Sequence, residues 1–425
     1  MQYIIKTIWF IATILILISS IYFTFKLKGI QFRFKDMFKS LKKNKEVDGI
    51  SNFQVLMISL AGRMGVGSIA GVSLAIYMGG IGSIFWLVAT VFLCSTNTFC
   101  EIILGGIYKE HDEKKQYKGG PSYYIKNGLN NKKLGALYAI LIIIGYIIFF
   151  VGIQSNTISK SLVGVNPVLL GIILSVITFL IIYGGLSKIA RFSSFIVPFM
   201  TIIYIIASLV VFFQNISDIP SILLNVVREA FNFKPFFSGF LSGFLIGIQR
   251  GIFSNEAGIG TSSIVSTSST SNNLIKQGYI QMLGIYITTF IICISTAIIV
   301  LTSDYLTVNG FDINGIELTK HAFIYHFGSF GNIILTVSII LFSFSTVTTA
   351  YYYGESCLKY FGNVNKFKIL ILKIITCIIV FMGCIISSSF LWGFVDIIVA
   401  FLIIINTYAI LRLKQKILDY VNKSR

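Results

Sequence analysis

Long apolar stretches separated by short polar segments recur along the whole chain. Each stretch holds about 18 or more residues, which is enough for a helix to cross about 30 Å of hydrocarbon. The pattern therefore predicts an all-α polytopic membrane protein. Eleven spans are predicted, at residues 4–25, 52–80, 82–108, 134–158, 166–187, 192–213, 236–265, 278–302, 323–350, 369–387 and 389–411.

Two segments need separate interpretation. The first span contains Lys6 and resembles a signal peptide. Its apolar part is too long and no small-residue cleavage site follows it, so a retained helix is predicted. Residues 214–235 are too short to cross, but their apolar positions recur at helical spacing. That spacing fits either a helix lying in the membrane interface or an amphipathic helix packed on protein.

The formal net charge of +18 stands beside 55% hydrophobic and only 12% charged residues. Basic residues concentrate in loops 26–50 and 109–133 and in the tail, whereas loop 303–320 carries three acidic residues. With eleven spans the basic segments share one side, so the positive-inside rule predicts a cell-membrane protein with its N-terminus outside and its C-terminus in the cytoplasm. The charge thus indicates a lipid bilayer and not nucleic acid as the partner.

The sequence gives no sign of an enzyme or of a resident metal. Its six cysteines form no CxxC pair, and its three histidines are too scattered for a ligand set. The HExxH, GxSxG and P-loop motifs are absent, and no repeated filter loop indicates a channel. We therefore predict no cofactor and no metal beyond a transported cation.

The second span is interrupted in its middle by Arg63, Gly65 and Gly67. Glycine costs about 1 kcal/mol in a helix interior, and a charge at bilayer depth costs several. Unwound backbone survives at that depth only inside protein or along a cavity, where secondary transporters bind substrate and coupling ion. Region 63–68 is thus predicted to be a broken-helix site, with close packing through glycines as the alternative.

Ten spans remain after the first, and they form two halves of five with opposite topology. In such inverted repeats the first helix of each half is broken, and the glycines of 238–244 predict the second break. We assign residues 1–50 to an extra helix and basic loop, 51–213 and 214–411 to the two repeats, and 412–425 to a basic tail.

Several strings occur in the order typical of one transporter family. They are Gly65–Val72 preceded by Arg63, Gly79–Trp86, Gly119–Ile125, Gln154–Asn156, Arg250–Gly260 and Tyr352–Glu355, followed by Trp392, Asp396 and Asn406. From about residue 50 to 410 the chain resembles a divergent member of the alanine/glycine:cation symporter family. The resemblance implies a fold similar to that of the bacterial leucine transporter, and import of alanine or glycine driven by sodium or, less often, by protons.

The chain departs from the family pattern at three positions of interest. Val66 replaces a threonine, Ser68 replaces an asparagine, and Ala350 stands where a tryptophan is usual. The missing tryptophan suggests the hypothesis of a substrate somewhat larger than, or different from, glycine.

The predicted substrate-binding residues are Gly65, Val66, Gly67, Gln154, Gly239, Phe240 and Gly243. Val66 and Gly67 offer backbone amides at a helix N-terminus, which suit a carboxylate. Phe240 either closes over the substrate or serves packing, and Gln154 either contacts the substrate or forms an interhelical hydrogen bond.

The resemblance in fold implies a cation site formed by Ala61, Met64, Ser68, Ser345 and Thr346. Unwound carbonyls and hydroxyls are ligands that sodium prefers. The hydroxyls of Ser345 and Thr346 alternatively cap carbonyls of their own helix.

Charges at membrane depth are rare and usually paired. The candidates for gating or scaffold pairs are Arg63, Glu101, Arg250, Glu256, Glu355 and Asp396. The predicted function is import of small neutral amino acids by cation symport through alternating access, with sodium as the coupling ion. A proton-coupled carrier with an altered substrate and a non-transporting sensor of the same fold are the alternatives. A monomer or weak oligomer is expected.

Overall fold

The structure is a computed structural model that describes residues 2–41, 50–111, 117–162, 164–233, 239, 241–269, 273–304, 315–362 and 364–424. These residues are almost entirely helical. Among them, β1 (Glu110–His111) and β2 (Tyr117–Lys118) form a short antiparallel pair in which Glu110 lies opposite Lys118.

The helices are numbered in chain order. The first ten are α1 (Gln2–Lys26), α2 (Phe34–Ser40), α3 (Asn52–Arg63), α4 (Val66–Gly79), α5 (Ser83–Ile107), α6 (Pro121–Gly128), α7 (Lys132–Ile142), α8 (Val151–Ser161), α9 (Pro167–Ile182) and α10 (Gly185–Gln214). The others are α11 (Ile219–Ala230), α12 (Leu241–Asn255), α13 (Thr261–Ser266), α14 (Leu274–Ile287), α15 (Ile294–Leu301), α16 (Gly315–Phe327), α17 (Ser329–Leu358), α18 (Lys366–Gly383), α19 (Ser388–Arg412) and α20 (Lys414–Lys423). Segments of π-helix join α7 to α8 and α14 to α15.

Eight described stretches are long and apolar enough to cross a membrane. They are Tyr3–Lys26, Asn52–Gly79, Ser83–Ile107, Lys132–Ser161, Gly185–Gln214, Leu274–Leu301, Ser329–Phe361 and Phe390–Arg412. Helix α9 is apolar but has 16 residues, and α12, α13 and α18 coincide with the other predicted spans. The all-α polytopic class is confirmed, whereas the count of eleven crossings stays a prediction.

The first predicted break is confirmed. Helix α3 ends at Arg63 and α4 begins at Val66, with Gly65 extended between them. In this broken span the most apolar window is wholly buried, whereas the corresponding window of α1 is 33% buried. The interrupted backbone therefore lies inside the protein and away from lipid, as unwound backbone at membrane depth requires.

The second predicted break, at 238–244, is wrong for residues 241–244, which are helical, whereas residues 238 and 240 lie outside the described residues. Helix α12 runs without interruption from Leu241 to Asn255, and the chain unwinds instead at residues 256–260. There the φ angles of Glu256, Gly258 and Gly260 are 55°, 77° and 107°. These left-handed conformations end the helix, and glycine adopts them at little cost.

Gly243, which helped to predict a break at 238–244, serves close helix packing together with Gly247 and Gly251. Cβ atoms on Gly243, Gly247 and Gly251 would lie 2.9, 2.4 and 2.6 Å from atoms of α4, α5 or their connection. Their spacing of four residues puts them on one face of α12. This face contacts α4 and α5. These three glycines are therefore packing positions, at which small residues let helices approach closely.

Helices α11 and α16 are short and lie outside the eight apolar stretches, as do α2, α6 and α20. Helix α11 corresponds to segment 214–235; it buries Val226 and Ala230 against protein while Leu223 and Leu224 stay exposed. Helix α16 was not predicted as a separate helix, because its residues were divided between an acidic loop and the ninth span. It ends before Gly328, whose φ of 59° turns the chain into α17.

Candidate substrate and cation site

The gap at Gly65 lies between side chains of α8 and α17. A Cβ atom on Gly65 would lie 2.6 Å from Thr346 Oγ1 and 3.1 Å from Gln154 Nε2. Contacts this short leave no room for a side chain at position 65. The glycine therefore lets two polar side chains reach the unwound backbone.

Gln154 is fully buried beside this gap. The Val66 N–H donates a hydrogen bond to Gln154 Oε1 across 3.1 Å. The amide predicted to bind a carboxylate is thus bonded to protein in this structure. Gln154 Nε2, in contrast, is buried and has no hydrogen-bond partner in the described part of the chain. A buried donor without an acceptor is costly, so Nε2 is the group here that a ligand acceptor or water would satisfy.

Two hydroxyl groups of α17 meet the end of α3. Thr346 Oγ1 lies 2.8 Å from Ala61 O, and Ser345 Oγ lies 3.5 Å from the same oxygen. Each hydroxyl also lies about one hydrogen-bond length from Phe342 O in its own helix, at 3.0 and 2.9 Å. Each hydroxyl therefore lies within hydrogen-bonding distance of a carbonyl of its own helix and of Ala61 O in α3. Met64 is fully buried immediately after α3.

Ser68 lies in a second polar cluster, on the first turn of α4. Its Oγ is 2.8 Å from Ser254 Oγ and 3.2 Å from Arg63 O. Ser254 Oγ in turn lies 3.0 Å from Cys293 Sγ, and Thr296 Oγ1 donates to Ser68 O across 2.9 Å. The cluster joins α4 to α12 and to the chain around the second π-helical segment.

The first turn of α4 lies against the last turn of α12. Besides the contact of Ser68 with Ser254, a Cβ atom on Gly67 would lie 2.8 Å from the Phe253 ring. A helix N-terminus carries partial positive charge and a C-terminus partial negative charge. The two breaks therefore bring dipole ends of opposite sign to one place, an arrangement complementary to a zwitterion.

The carboxylate of Glu256 lies in the second break and is satisfied by neutral donors. Tyr146 OH donates to Oε1 across 2.8 Å. Thr261 Oγ1 and Tyr353 OH donate to Oε2 across 2.8 and 3.1 Å. Three hydroxyl donors offset much of the cost of burying a carboxylate.

Arg63 is buried and hydrogen-bonds neutral oxygens. Its guanidinium donates to Gln281 O and Gln281 Oε1 across 3.0 and 3.1 Å and to Ser262 Oγ across 2.5 Å. Glu256 and Glu101 are near enough to interact with it electrostatically. Arg63 thus ties the end of α3 to α13 and α14.

Glu101 belongs to a network next to the second break. Asn406 Nδ2 donates to Glu101 Oε2 across 3.0 Å and to Gly258 O across 2.9 Å. Tyr124 OH donates to Asn406 Oδ1. Asn406 therefore links α5, α6 and α19 to the unwound loop.

Arg250 and Asp396 form a buried ion pair, with 2.6 Å between Nη2 and Oδ2. The guanidinium carbon also lies 5.4 and 5.8 Å from the ring centroids of Trp392 and Phe253. The Phe253 ring itself lies 5.2 Å from that of Phe150. Aromatic rings thus separate this pair from the first turn of α4.

The remaining predicted residues lie elsewhere. Gly243 packs on Gly79 O at the far end of α4, about 20 Å along that helix from Gly65. Gly239 is exposed, and Phe240 lies outside the described residues. Glu355 pairs with Lys359, 3.5 Å away, near the end of α17.

The sequence interpretation missed Phe253, Ser254 and Tyr146 as site residues. Phe253 and Ser254 lie within the Arg250–Gly260 string that indicated the family, so a break placed at residues 256–260 of that string would have found them. Tyr146 gave only a weak signal, a hydroxyl within an otherwise apolar span.

A family model described as the sodium:alanine symporter family matches residues 1–424. The chain belongs to this family. It is 36% identical over 424 residues to the "Probable sodium/glutamine symporter GlnT" of Bacillus subtilis, a match covering 97% of this chain and 88% of the relative. It is 30% identical to the "Sodium/alanine symporter AgcS" of Methanococcus maripaludis, with 90% and 87% covered.

The sodium:alanine symporter family consists of transporters and not of enzymes, so the sequence interpretation is confirmed in this respect. The fold is also similar to that of a solved Na⁺-coupled sialic acid symporter, with a TM-score of 0.53 and 13% identity over 97% of this chain and 82% of the other. This similarity confirms the predicted leucine-transporter-like fold. The chain is accordingly a cation-coupled membrane carrier.

Proposed function

We propose that the chain imports a small neutral amino acid together with sodium, with the substrate bound between the two breaks. The observation that carries this proposal is the contact of the first turn of α4 with the last turn of α12. The α4 N-terminus suits the substrate carboxylate, and the α12 C-terminus suits its ammonium group. Gln154 Nε2 and the Gly67 amide then serve the carboxylate.

Sodium is proposed at the end of α3, with Ala61 O, Ser345 Oγ and Thr346 Oγ1 as ligands. The support is their convergence within 3.5 Å at a helix C-terminus, which carries partial negative charge. Met64 and Ser68 are proposed as weaker contributors from the neighbouring backbone and hydroxyl cluster. The alternative ion is a proton, for which Glu256, in the second break, is the candidate acid.

The inverted repeat and the orientation are part of the same proposal. One repeat covers 51–213 and the other 214–411, and the N-terminus lies outside the cell membrane. In this orientation the Arg250–Asp396 pair lies on the outer side of the second break and Glu101 on the inner side. The ion pair then belongs to the outer closure of the site.

Labelled amino-acid uptake into proteoliposomes with an imposed sodium gradient tests this function. Alanine, glycine, serine and glutamine are compared, since Ala350 leads us to expect a substrate larger than glycine. We expect saturable uptake that disappears when choline replaces sodium. Uptake that persists without sodium and collapses with a protonophore indicates proton coupling instead, and Glu256→Gln should then abolish it.

A non-transporting sensor is distinguished by counterflow. Liposomes loaded with unlabelled substrate should accumulate label transiently if the protein is a carrier. Substrate binding measured by thermal shift without any counterflow would identify a sensor. Glycine as the sole accepted substrate would contradict the proposed larger pocket.

A further inference from the structure

Helix α1 lies outside the two proposed repeats, yet one of its faces is buried in the protein. Trp9 and Ile16 are buried, whereas Phe10 and Ile14 are exposed to the surroundings. The helix packs on α5, α12 and α19. These are the helices that carry the Glu101, Arg250 and Asp396 side chains described above.

The first specific contact is a hydrogen bond to the backbone of Asp396, one of the two residues of the ion pair. Trp9 Nε1 donates to Asp396 O across 3.0 Å, and the carboxylate of Asp396 pairs with Arg250 at 2.6 Å. A single side chain of α1 therefore holds the α19 residue that closes the pair.

The second contact is with the second break. Ile16 is fully buried, and a Cβ atom on Gly258 would lie 2.5 Å from Ile16 Cδ1. The carbonyl of Gly258 accepts a hydrogen bond from Asn406. The unwound loop is thus held between α1 on one side and α19 on the other.

Hydrogen bonds with one asparagine fix the position of α1 along α5. Asn97 of α5 donates to Ser20 Oγ across 2.5 Å and to Ile16 O across 3.2 Å, and it accepts from Ser19 Oγ across 2.5 Å. Such interhelical bonds in membranes are each worth about 0.6–2 kcal/mol, and these three fix the register of α1 against α5. A helix that served only as an anchor would not need them.

We propose that α1 is a positioning helix for transport, in which Trp9 and Ile16 set the resting positions of Asp396 and of the Glu256–Gly260 loop. The inference rests on the proposed carrier function. Trp9 and Ile16 act through residues of the cycle and are not expected to contact substrate or ion. Among the described contacts α1 has no such partner in the first break, so Trp9 and Ile16 act on Asp396 and on the second break.

Trp9→Phe is the main test, because it removes the Nε1–H donor and keeps a ring. Phe10→Leu, at a neighbouring exposed position, is its matched control. We expect kcat/KM for uptake by Trp9→Phe to be three- to tenfold lower than that of the parent, with a changed KM. Monodispersity and Tm should stay at the parent values. We also expect at least threefold faster amide hydrogen exchange in segment 255–261, measured by mass spectrometry.

Ile16→Ala gives a second, independent test, with the exposed Ile14→Ala as its control. It should accelerate exchange in segment 255–261 while Ile14→Ala does not. Equal exchange and equal kinetics in each variant and its control would overturn the proposal, as would uniform loss of Tm with no local change. Hydrogen exchange is measured without transport, so the two claims fail separately. Absence of uptake by the parent protein would overturn the carrier function. Equal exchange in each variant and its control would overturn the positioning role of α1.

Discussion

Thr346 Oγ1 on α17 lies 2.8 Å from the carbonyl oxygen of Ala61 at the end of α3. The contact joins a continuous helix to a broken one at a point where a helix C-terminus favours a cation. Both oxygens are ligands of the proposed sodium site. Removal of the Thr346 hydroxyl therefore tests that site.

Thr346→Val removes the hydroxyl and keeps the shape of the side chain. Loss of an oxygen ligand and of a buried hydrogen bond costs about 1–3 kcal/mol, or roughly 5- to 150-fold in apparent sodium affinity. Sodium-dependent uptake measured at fixed substrate gives this value. Thr346→Ser should retain near-parental affinity.

The matched control for this variant is Thr348→Val on the same helix. Thr348 is also fully buried, but its hydroxyl bonds Ser345 O within α17. It should leave the sodium dependence within about twofold of the parent. Equal loss in both valine variants would mean that α17 is merely destabilised and that Thr346 is no ligand.

Gly65→Ala should abolish uptake. The added methyl group would meet Thr346 Oγ1 at 2.6 Å and both polar atoms of Gln154 at 3.1 Å. The same substitution at Gly71 meets nothing within 4 Å, although Gly71 also lies in α4. Gly71→Ala should therefore keep uptake and raise stability by up to about 1 kcal/mol, because alanine is the better helix former. The measurements are uptake and Tm of the two alanine variants. Uptake by Gly65→Ala would contradict the prediction that position 65 must lack a side chain.

The two breaks show what sequence pattern can and cannot resolve. The break at Arg63–Val66 was predictable because a charge interrupts an apolar run at that point. The second was misplaced because glycine spacing alone does not separate packing from unwinding. Gly243, Gly247 and Gly251 pack at helical spacing, whereas the glycines beside Glu256 adopt positive φ. Only backbone geometry distinguishes the two uses.

Partners of buried charges were the other limit. Arg250 and Asp396 are 146 residues apart in the chain, and nothing local to either predicts their pairing. Arg63 found neutral partners although two acids lie near it. Such choices depend on how helices from both halves pack, and the apolar pattern specifies each helix without specifying its neighbours.

Gln154→Glu separates the two proposed functions of the Gln154 side chain, which are to accept a hydrogen bond from the Val66 N–H and to donate one to the substrate carboxylate. Glutamate keeps an acceptor for the Val66 N–H but replaces the Nε2 donor with a negative oxygen. Repulsion of a substrate carboxylate should raise the substrate KM by at least tenfold, while Gln154→Asn and the parent bind more tightly. The measurement is substrate-dependent uptake at saturating sodium.

Thr157→Val is the control for Gln154→Glu, because the Thr157 hydroxyl bonds Ile153 O within α8. Its KM should stay near that of the parent. An unchanged KM in Gln154→Glu would place the carboxylate elsewhere, and Gln154 would then be an interhelical contact alone.

Helix α16 should loosen from α15 in acid. His326 Nε2 lies 3.0 Å from Ile299 O and 3.1 Å from Thr302 Oγ1. Burial lowers the pKa of His326 below its usual value of about 6.5, against the opposing effects of the Ile299 carbonyl and Asp304. A histidine with a lowered folded-state pKa prefers the neutral form in the folded protein. Its contribution to stability is therefore complete above about pH 6.5 and is lost as the pH falls through the lower folded pKa.

His326→Gln keeps an N–H donor that does not titrate, so it isolates this effect. Between about pH 7.5 and pH 5 the parent should lose more Tm than His326→Gln, and the two curves should run parallel above about pH 6.5, where the histidine is neutral in both folded and unfolded chains. Thermal unfolding in detergent micelles across this range gives the comparison. Since His321 and Asp304 remain in both proteins, their 2.7 Å contact cancels from the difference. Identical slopes of Tm against pH would show that protonation of His326 does not weaken the contact of α16 with α15.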